Sequence, residues 1–129
     1  MWLRALALAT VLCSGCKSDE SRDPRILELA HTAERAFEST AHGDSAVLRR
    51  LVSNDDVYMT IWGINAHHPG LVDAAAKKLK PIEDGSWVHA DTAYVVLEAR
   101  RIRCPDRMEI LFLRSGGAWH IHHVGLPER

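Results

Sequence analysis

Between Ser86 and Val124 the chain carries three strand-like runs, and they set the class of fold open to it. They read Ser-Trp-Val-His-Ala-Asp-Thr-Ala-Tyr-Val-Val-Leu-Glu from Ser86, Arg-Met-Glu-Ile-Leu-Phe-Leu-Arg from Arg107, and Ala-Trp-His-Ile-His-His-Val from Ala118. Cys104-Pro105-Asp106 and Ser115-Gly116-Gly117 separate them as loop and hairpin signals. β-branched and aromatic side chains fill the runs because a pleated, half-buried surface suits them. The chain upstream has to supply the layer that covers this sheet.

That upstream layer reads as helix. Asp23 is placed to cap a helix whose first turn holds Pro24. Ile26, Leu29, Ala30, Ala33, Phe37 and Ala41 recur at three- and four-residue spacing as one apolar stripe, and Gly43 ends the run. Asp44 opens a second helix with Val47, Leu48, Leu51 and Val52 apolar, broken by Ser53-Asn54-Asp55-Asp56. From Val57 to Asn65 alternation is absent, and continuous apolarity suits either a buried helix or a buried strand. We take it as helix, interrupted near Gly63. Leu71, Val72, Ala75 and Leu79 then predict a helix from Leu71 to Lys80, with Lys77, Lys78 and Lys80 at its C-terminal dipole end and Pro81 barring continuation. Helices first and strands after predict an α+β fold, with the helices on one face of an antiparallel sheet of three to four strands.

The register of the last hairpin decides where its histidines look. A two-residue turn at Gly116-Gly117 sets Ser115 opposite Ala118. Ile110 and Phe112 then share a face with Trp119, Ile121 and His123, while Leu111 and Leu113 share the other with His120 and His122. A three-residue turn would swap these partnerships. The two-residue turn is preferred because it gathers Phe112, Trp119 and Ile121 on one buried face.

Ahead of the helices stands a secretory signal: Arg4, then the apolar run Ala5–Leu12, too short to span a bilayer as a mature helix. It ends in Leu12-Cys13-Ser14-Gly15-Cys16, small residues before a cysteine, as in a bacterial lipobox; Cys13 stands where Leu is usual. Residues 1–15 are therefore expected to be cleaved and Cys16 lipidated, against a plain cleaved signal or an uncleaved anchor. Residues 16–23, polar and charged, read as a flexible tether, and residues 24–127 as a single domain. The expected location is the bacterial cell envelope, lipid-anchored at the outer membrane and facing the periplasm. Cleavage takes one basic residue, Arg4, from the 16 and leaves 17 acidic residues, a net charge of about −2. Without a concentrated basic face, nucleic acid is excluded as a partner. Cys104 is left alone in a loop, and a Cys16–Cys104 disulfide arises only if Cys16 is not lipidated.

The first helix ending near Ala41-His42-Gly43-Asp44, the second from Ser45 to Ser53, Asp91-Thr92-Ala93-Tyr94-Val95 in a strand and the closing Leu113-Arg114-Ser115-Gly116-Gly117-Ala118-Trp119-His120-Ile121 together resemble the nuclear transport factor 2-like (cystatin-like) superfamily. Within it the chain resembles the small bacterial lipoproteins. The resemblance runs from Arg25 to Val124 through short, degenerate motifs. It implies a sheet curved around the long helix into a cone with an apolar pocket, and dimers through the other sheet face. Such a pocket would be lined by Phe37, Tyr58, Trp62, Phe112, Trp119, Ile121 and His123. The helical look of Val57–Lys80 departs from the early strand hairpin of larger members and implies a reduced sheet. Polyketide cyclase-like isomerases and hydro-lyases of that superfamily place Asp or His inside the cone, but fold alone transfers no chemistry.

The residues offer two chemical alternatives. His120 and His122, two apart on a strand, stand about 6.6 Å apart on one face. That is near enough to share zinc with His89 or Glu109 as a third ligand, though an exposed or dimer-forming face explains them as well. His123, facing the cone, would serve as acid or base with Asp91, or simply line the rim. Trp62, Trp87 and Trp119 read as core or pocket wall. No nucleophile or phosphate-loop motif occurs, and no cofactor is expected. The function expected is a non-catalytic domain binding a small apolar ligand or a protein partner; the alternative is an isomerase or hydro-lyase using His123. If Cys16 is the lipidation site, globomycin makes unprocessed precursor accumulate and Cys16→Ser releases the protein from membranes. An unchanged distribution of Cys16→Ser would overturn the anchor.

Overall fold

Asp23 accepts a hydrogen bond from the Arg25 amide at 2.9 Å and opens α1 (Pro24–Ala41). The computed structural model describes residues 19–100 and 106–126, so Cys16, Cys104 and the expected signal lie outside the described residues. The predicted stripe is buried from Ile26 to Phe37, with Ile26, Leu29, Ala30, Ala33 and Phe37 facing inward and joined by Ala36, while its last expected member, Ala41, is exposed at the helix end. Gly43, at φ +72°, turns the chain out of the helix, and the Asp44 amide closes on the Ser39 carbonyl at 2.7 Å. Asp44 in turn caps α2 (Ser45–Leu51) by accepting from the Val47 amide at 3.2 Å. Asn54 caps α3 (Asp55–His67) through the Val57 amide at 3.0 Å.

The run from Ser86 to Glu98, read as one strand-like stretch, is divided by a turn at Ala90-Asp91, and two helix boundaries also differ from expectation. α3 runs through Gly63 without a break; a Cβ built there meets nothing within 4 Å, so the glycine serves no close approach. The last helix, α4 (Pro69–Lys77), stops short of Leu79 and Lys80, which begin β1 (Leu79–His89). The reason is Pro81: its ring disfavours a helical Lys80, and at a sheet edge its missing N–H costs nothing.

Among the described residues the sheet has four antiparallel strands in the order β1, β2 (Thr92–Ala99), β3 (Asp106–Ser115) and β4 (Ala118–Gly125). This α+β arrangement follows the predicted order of elements. Both outer edges are partly closed. The Ser21 amide donates to the Pro81 carbonyl at 2.8 Å and the Glu83 amide to the Asp19 carbonyl at 3.0 Å, so the end of the expected tether is laid along β1. On the far side the Ser53 amide donates to Ile121 of β4 at 2.9 Å.

The inner face carries Ala93, Val95 and Leu97 of β2, Met108, Ile110 and Phe112 of β3, and Ile121 of β4, all inaccessible to solvent. They form one core with the apolar faces of the four helices. α1 lies against β1 and β2, while α2 and α3 reach β4. Ile82 and Val96 are also buried but belong to the opposite face, paired across β1 and β2. They are covered where β1 bulges between Ile82 and Trp87. There the Ser86 hydroxyl donates to the Ile82 carbonyl and accepts from the Val96 amide at 2.9 Å, replacing ladder bonds that the bulge removes. Gly85 (φ +88°) permits this fold-back, since a Cβ there would lie 3.2 Å from Val96 Cγ2.

Phe37→Ala should cost about 3–5 kcal/mol, because the ring is wholly enclosed between helices and sheet. Met59→Ala, at a side chain 64% exposed, should change stability by less than about 0.5 kcal/mol. Urea denaturation of the two variants checks the contrast; equal losses would contradict the assigned core.

Candidate functional site

The last hairpin has the predicted two-residue turn, with Ser115 opposite Ala118 and Phe112 opposite Ile121. Beyond that point the expected register fails. A bulge between the Phe112–Ile121 and Leu111–His123 pairs leaves His122 as the extra residue. One added residue reverses the alternation downstream, so Val124 rather than His123 follows Ile121 onto the buried face. His123 stands exposed opposite Leu111, on the outer face. His122 turns to the β4 edge, where its Nδ1 lies 2.8 Å from Ser53 Oγ. His120 pairs with Leu113 on the outer face. The expected His120–His122 face therefore does not form, and no cluster of three metal-ligating His, Cys, Asp or Glu side chains occurs among the described residues.

The residues expected to line a pocket divide in the same way. Phe37, Phe112 and Ile121 have no accessible surface, so no water-sized space opens onto them. Tyr58, Trp62 and Trp119 pack on the core margin. Tyr58 meets Trp62 edge-on at 6.2 Å between ring centroids and carries the Arg49 guanidinium 4.1 Å above its ring. Trp62 Nε1 is buried without a hydrogen-bond partner. Asp91 does not meet His123. Its carbonyl accepts from the Arg114 amide at 2.8 Å and its carboxylate from Arg114 Nε at 2.9 Å, which clasps the β1–β2 turn to β3. A hollow of about 550 Å³ lies elsewhere, lined by Asp19, Glu20, Ser21, Arg22, Leu27 and Glu83 beside the β1 edge.

What the fold does assemble is the outer sheet face. Two neighbouring cross-strand rows read Trp87, Tyr94, Leu111, His123 and His89, Thr92, Leu113, His120. Tyr94, Leu111 and Leu113 remain partly exposed, and Trp87 is 46% exposed. The rings of Trp87 and Tyr94 stack, with centroids 6.2 Å apart and planes inclined by 16°. Trp87, expected as core or pocket wall, is thus an open-face residue. The signal that could have found it is the strict alternation through Tyr94 and through Glu109, Leu111 and Leu113, which leaves one member of each pair outside.

Polar groups frame this face. A hydrogen bond to the Glu109 carboxylate, with burial and the carboxylate's charge acting in the same direction, pushes the Tyr94 phenol up to about 12. Further along, Glu98 is almost wholly buried between Lys80 and Arg107 in its cross-strand row, and Arg107 Nε donates to it at 3.0 Å.

These features define a small α+β domain whose sheet is covered by helices on one side and open on the other. No helix among the described residues is long and apolar enough to cross a membrane. Compared with protein-family models, with curated proteins and with solved structures, the chain matches none.

Because the folded phenol titrates above its ordinary value near 10, Tyr94 contributes stability that is intact below pH 10 and lost as pH rises toward 12, where the unfolded chain has already released the proton. Glu109→Gln should bring the phenol back toward 10. Absorbance at the phenolate band across alkaline pH reads this directly, and a curve unmoved by Glu109→Gln would remove Glu109 as the cause.

Proposed function

We propose that the chain is an envelope lipoprotein, anchored through Cys16, whose non-catalytic domain binds a protein partner through the outer face of its sheet. The observation that carries the reading is the pair of open rows centred on Tyr94, Leu111 and Leu113. A contiguous, partly apolar face without a covering layer is the feature expected of a surface that is completed by association. Tyr94 on a central strand, Trp87 on the β1 edge and histidines at the rim suit such an interface.

An apolar ligand within the domain is the weaker arm. It would have to open the contacts of Phe37, Phe112 and Ile121, which have no accessible surface. The alternative isomerase or hydro-lyase has still less support, because its acid and base are apart: Asp91, in the β1–β2 turn, is held by Arg114, and His123 stands exposed on β4. The resemblance to nuclear transport factor 2-like proteins makes a second copy of the chain the first partner to test.

A photo-crosslinking residue placed at Leu113 in intact cells should yield protein adducts, and Leu111→Glu in the same chain should abolish them. The same residue at the exposed helix position Arg35 should yield none. An adduct of twice the chain's mass identifies a second copy. Absence of any adduct at Leu113, or equal capture at Arg35, would overturn the reading.

A further inference from the structure

The point at which the described chain begins is fixed against one corner of the sheet. Ser21 and Asp19 are hydrogen-bonded to Pro81 and Glu83 of β1, and Glu20 bridges Ile82 in antiparallel sense. Asp19, the first described residue, thus lies opposite Glu83, on the Trp87 side of Pro81. Cys16 is three residues before Asp19. Three residues reach at most about 11 Å when fully extended. A lipid on Cys16 would thus hold the β1 corner within that reach of the bilayer.

That corner carries Trp87. β1 is the edge strand, and the Asp19–Ser21 run covers it only near Pro81 to Glu83. One side of the Trp87 ring meets Tyr94, and the residue remains 46% exposed at the edge. A tryptophan with an apolar body and one N–H is suited to the headgroup region, where one end is apolar and the other wet. We infer that the β1 corner rests on the phospholipid surface to which Cys16 is anchored, with Trp87 at headgroup level. This rests on the lipid-anchor reading above. It leaves Leu111, Leu113 and His120, on β3 and β4, for a protein partner.

The charges around the corner give the contact a lipid preference. Asp19, Glu20, Glu83 and Asp84 are all exposed and outnumber Lys17 and Arg22 nearby in the chain. Held within about a Debye length of the surface, roughly 10 Å at 0.1 M salt, they disfavour an anionic leaflet. The contact accordingly suits zwitterionic headgroups.

The test uses the full chain, processed and lipidated, in vesicles of phosphatidylethanolamine and phosphatidylcholine carrying a nitroxide near the headgroup. The nitroxide should quench tryptophan emission, and Trp87→Phe should remove the quenched share while the protein stays bound to the vesicles. Trp87→Tyr, which keeps a ring with a polar tip beside Tyr94, serves if Trp87→Phe loses its near-ultraviolet dichroism. Adding phosphatidylglycerol at low salt should weaken the quenching, and high salt should restore it. Anchored protein without Trp87-dependent quenching would overturn the inference and leave the lipid anchor standing. Stronger quenching on phosphatidylglycerol would overturn the orientation, since it calls for a cationic face. A photo-crosslinker at position 87 that gave protein adducts and no lipid adducts would also overturn it. If Cys16→Ser leaves the protein on membranes, the anchor fails and this inference falls with it.

Discussion

The structure depends on how closely α1 lies against the sheet. Ala30, Ala33 and Ala36 present small side chains at its centre, and Leu29 and Phe37 flank them, all at essentially zero accessibility. Small residues let the helix backbone approach, and the flanking large ones fill what remains at interior density. The same contact decides which face is open: these side chains are inaccessible to solvent, so the inner face belongs to the core and the outer face is the one turned to solvent. Glu34 locks the arrangement at one end, its Oε2 accepting from the Leu79 amide at 3.3 Å across 45 residues of chain.

The edges follow from that economy. A four-stranded sheet with one bare face would present two unpaired rims, each a template for another chain's strand. Here local segments occupy part of both: Asp19–Ser21 along β1 and Val52–Ser53 along β4. Each strand also carries a bulge, at Glu83–Ser86 and at His122, and bulges twist an edge away from flat pairing. Strand-to-strand pairing at the rims is thereby restricted.

Most of the architecture was legible because it depends on period and punctuation. The stripe from Ile26 to Phe37, the caps Asp23 and Asp44, the stop at Gly43 and the Gly116-Gly117 turn all appear at the residues where local chemistry asks for them. The first half of β1 was hidden because Leu79 continues a helical spacing, and only the chain geometry before Pro81 turns it into strand. The candidate site was legible in its residue types and not in its facing. His120, His122 and His123 are identical side chains in one run, and a single inserted residue keeps His120 and His123 on the outer face while turning His122 to the edge. Such a bulge is stabilised by contacts remote in sequence, here Ser53 against Ile121 and His122, so no window around β4 contains its cause.

That dispersal also bears on chemistry. The Ser53–His122 contact has the atoms of an activated nucleophile, yet its surroundings give it another task. Ser53 Oγ also accepts from Asn54 Nδ2 at 3.3 Å, and the Ser53 amide holds Ile121, so the hydroxyl ties the α2–α3 linker to the β4 bulge. Both side chains belong to an exposed hydrogen bond, where water competes with any charge that develops. Catalysis of acyl or proton transfer draws its largest contribution from preorganised dipoles in a water-excluded site. The described residues exclude water most completely where their side chains are hydrocarbon, in the layer between α1 and the sheet. The largest apolar enclosure thus lies on the inner side of the sheet, while on the outer side burial is confined to Ile82, Val96 and Glu98 near the β1 bulge. On the reading proposed above, that arrangement suits a surface that binds by shape and contact.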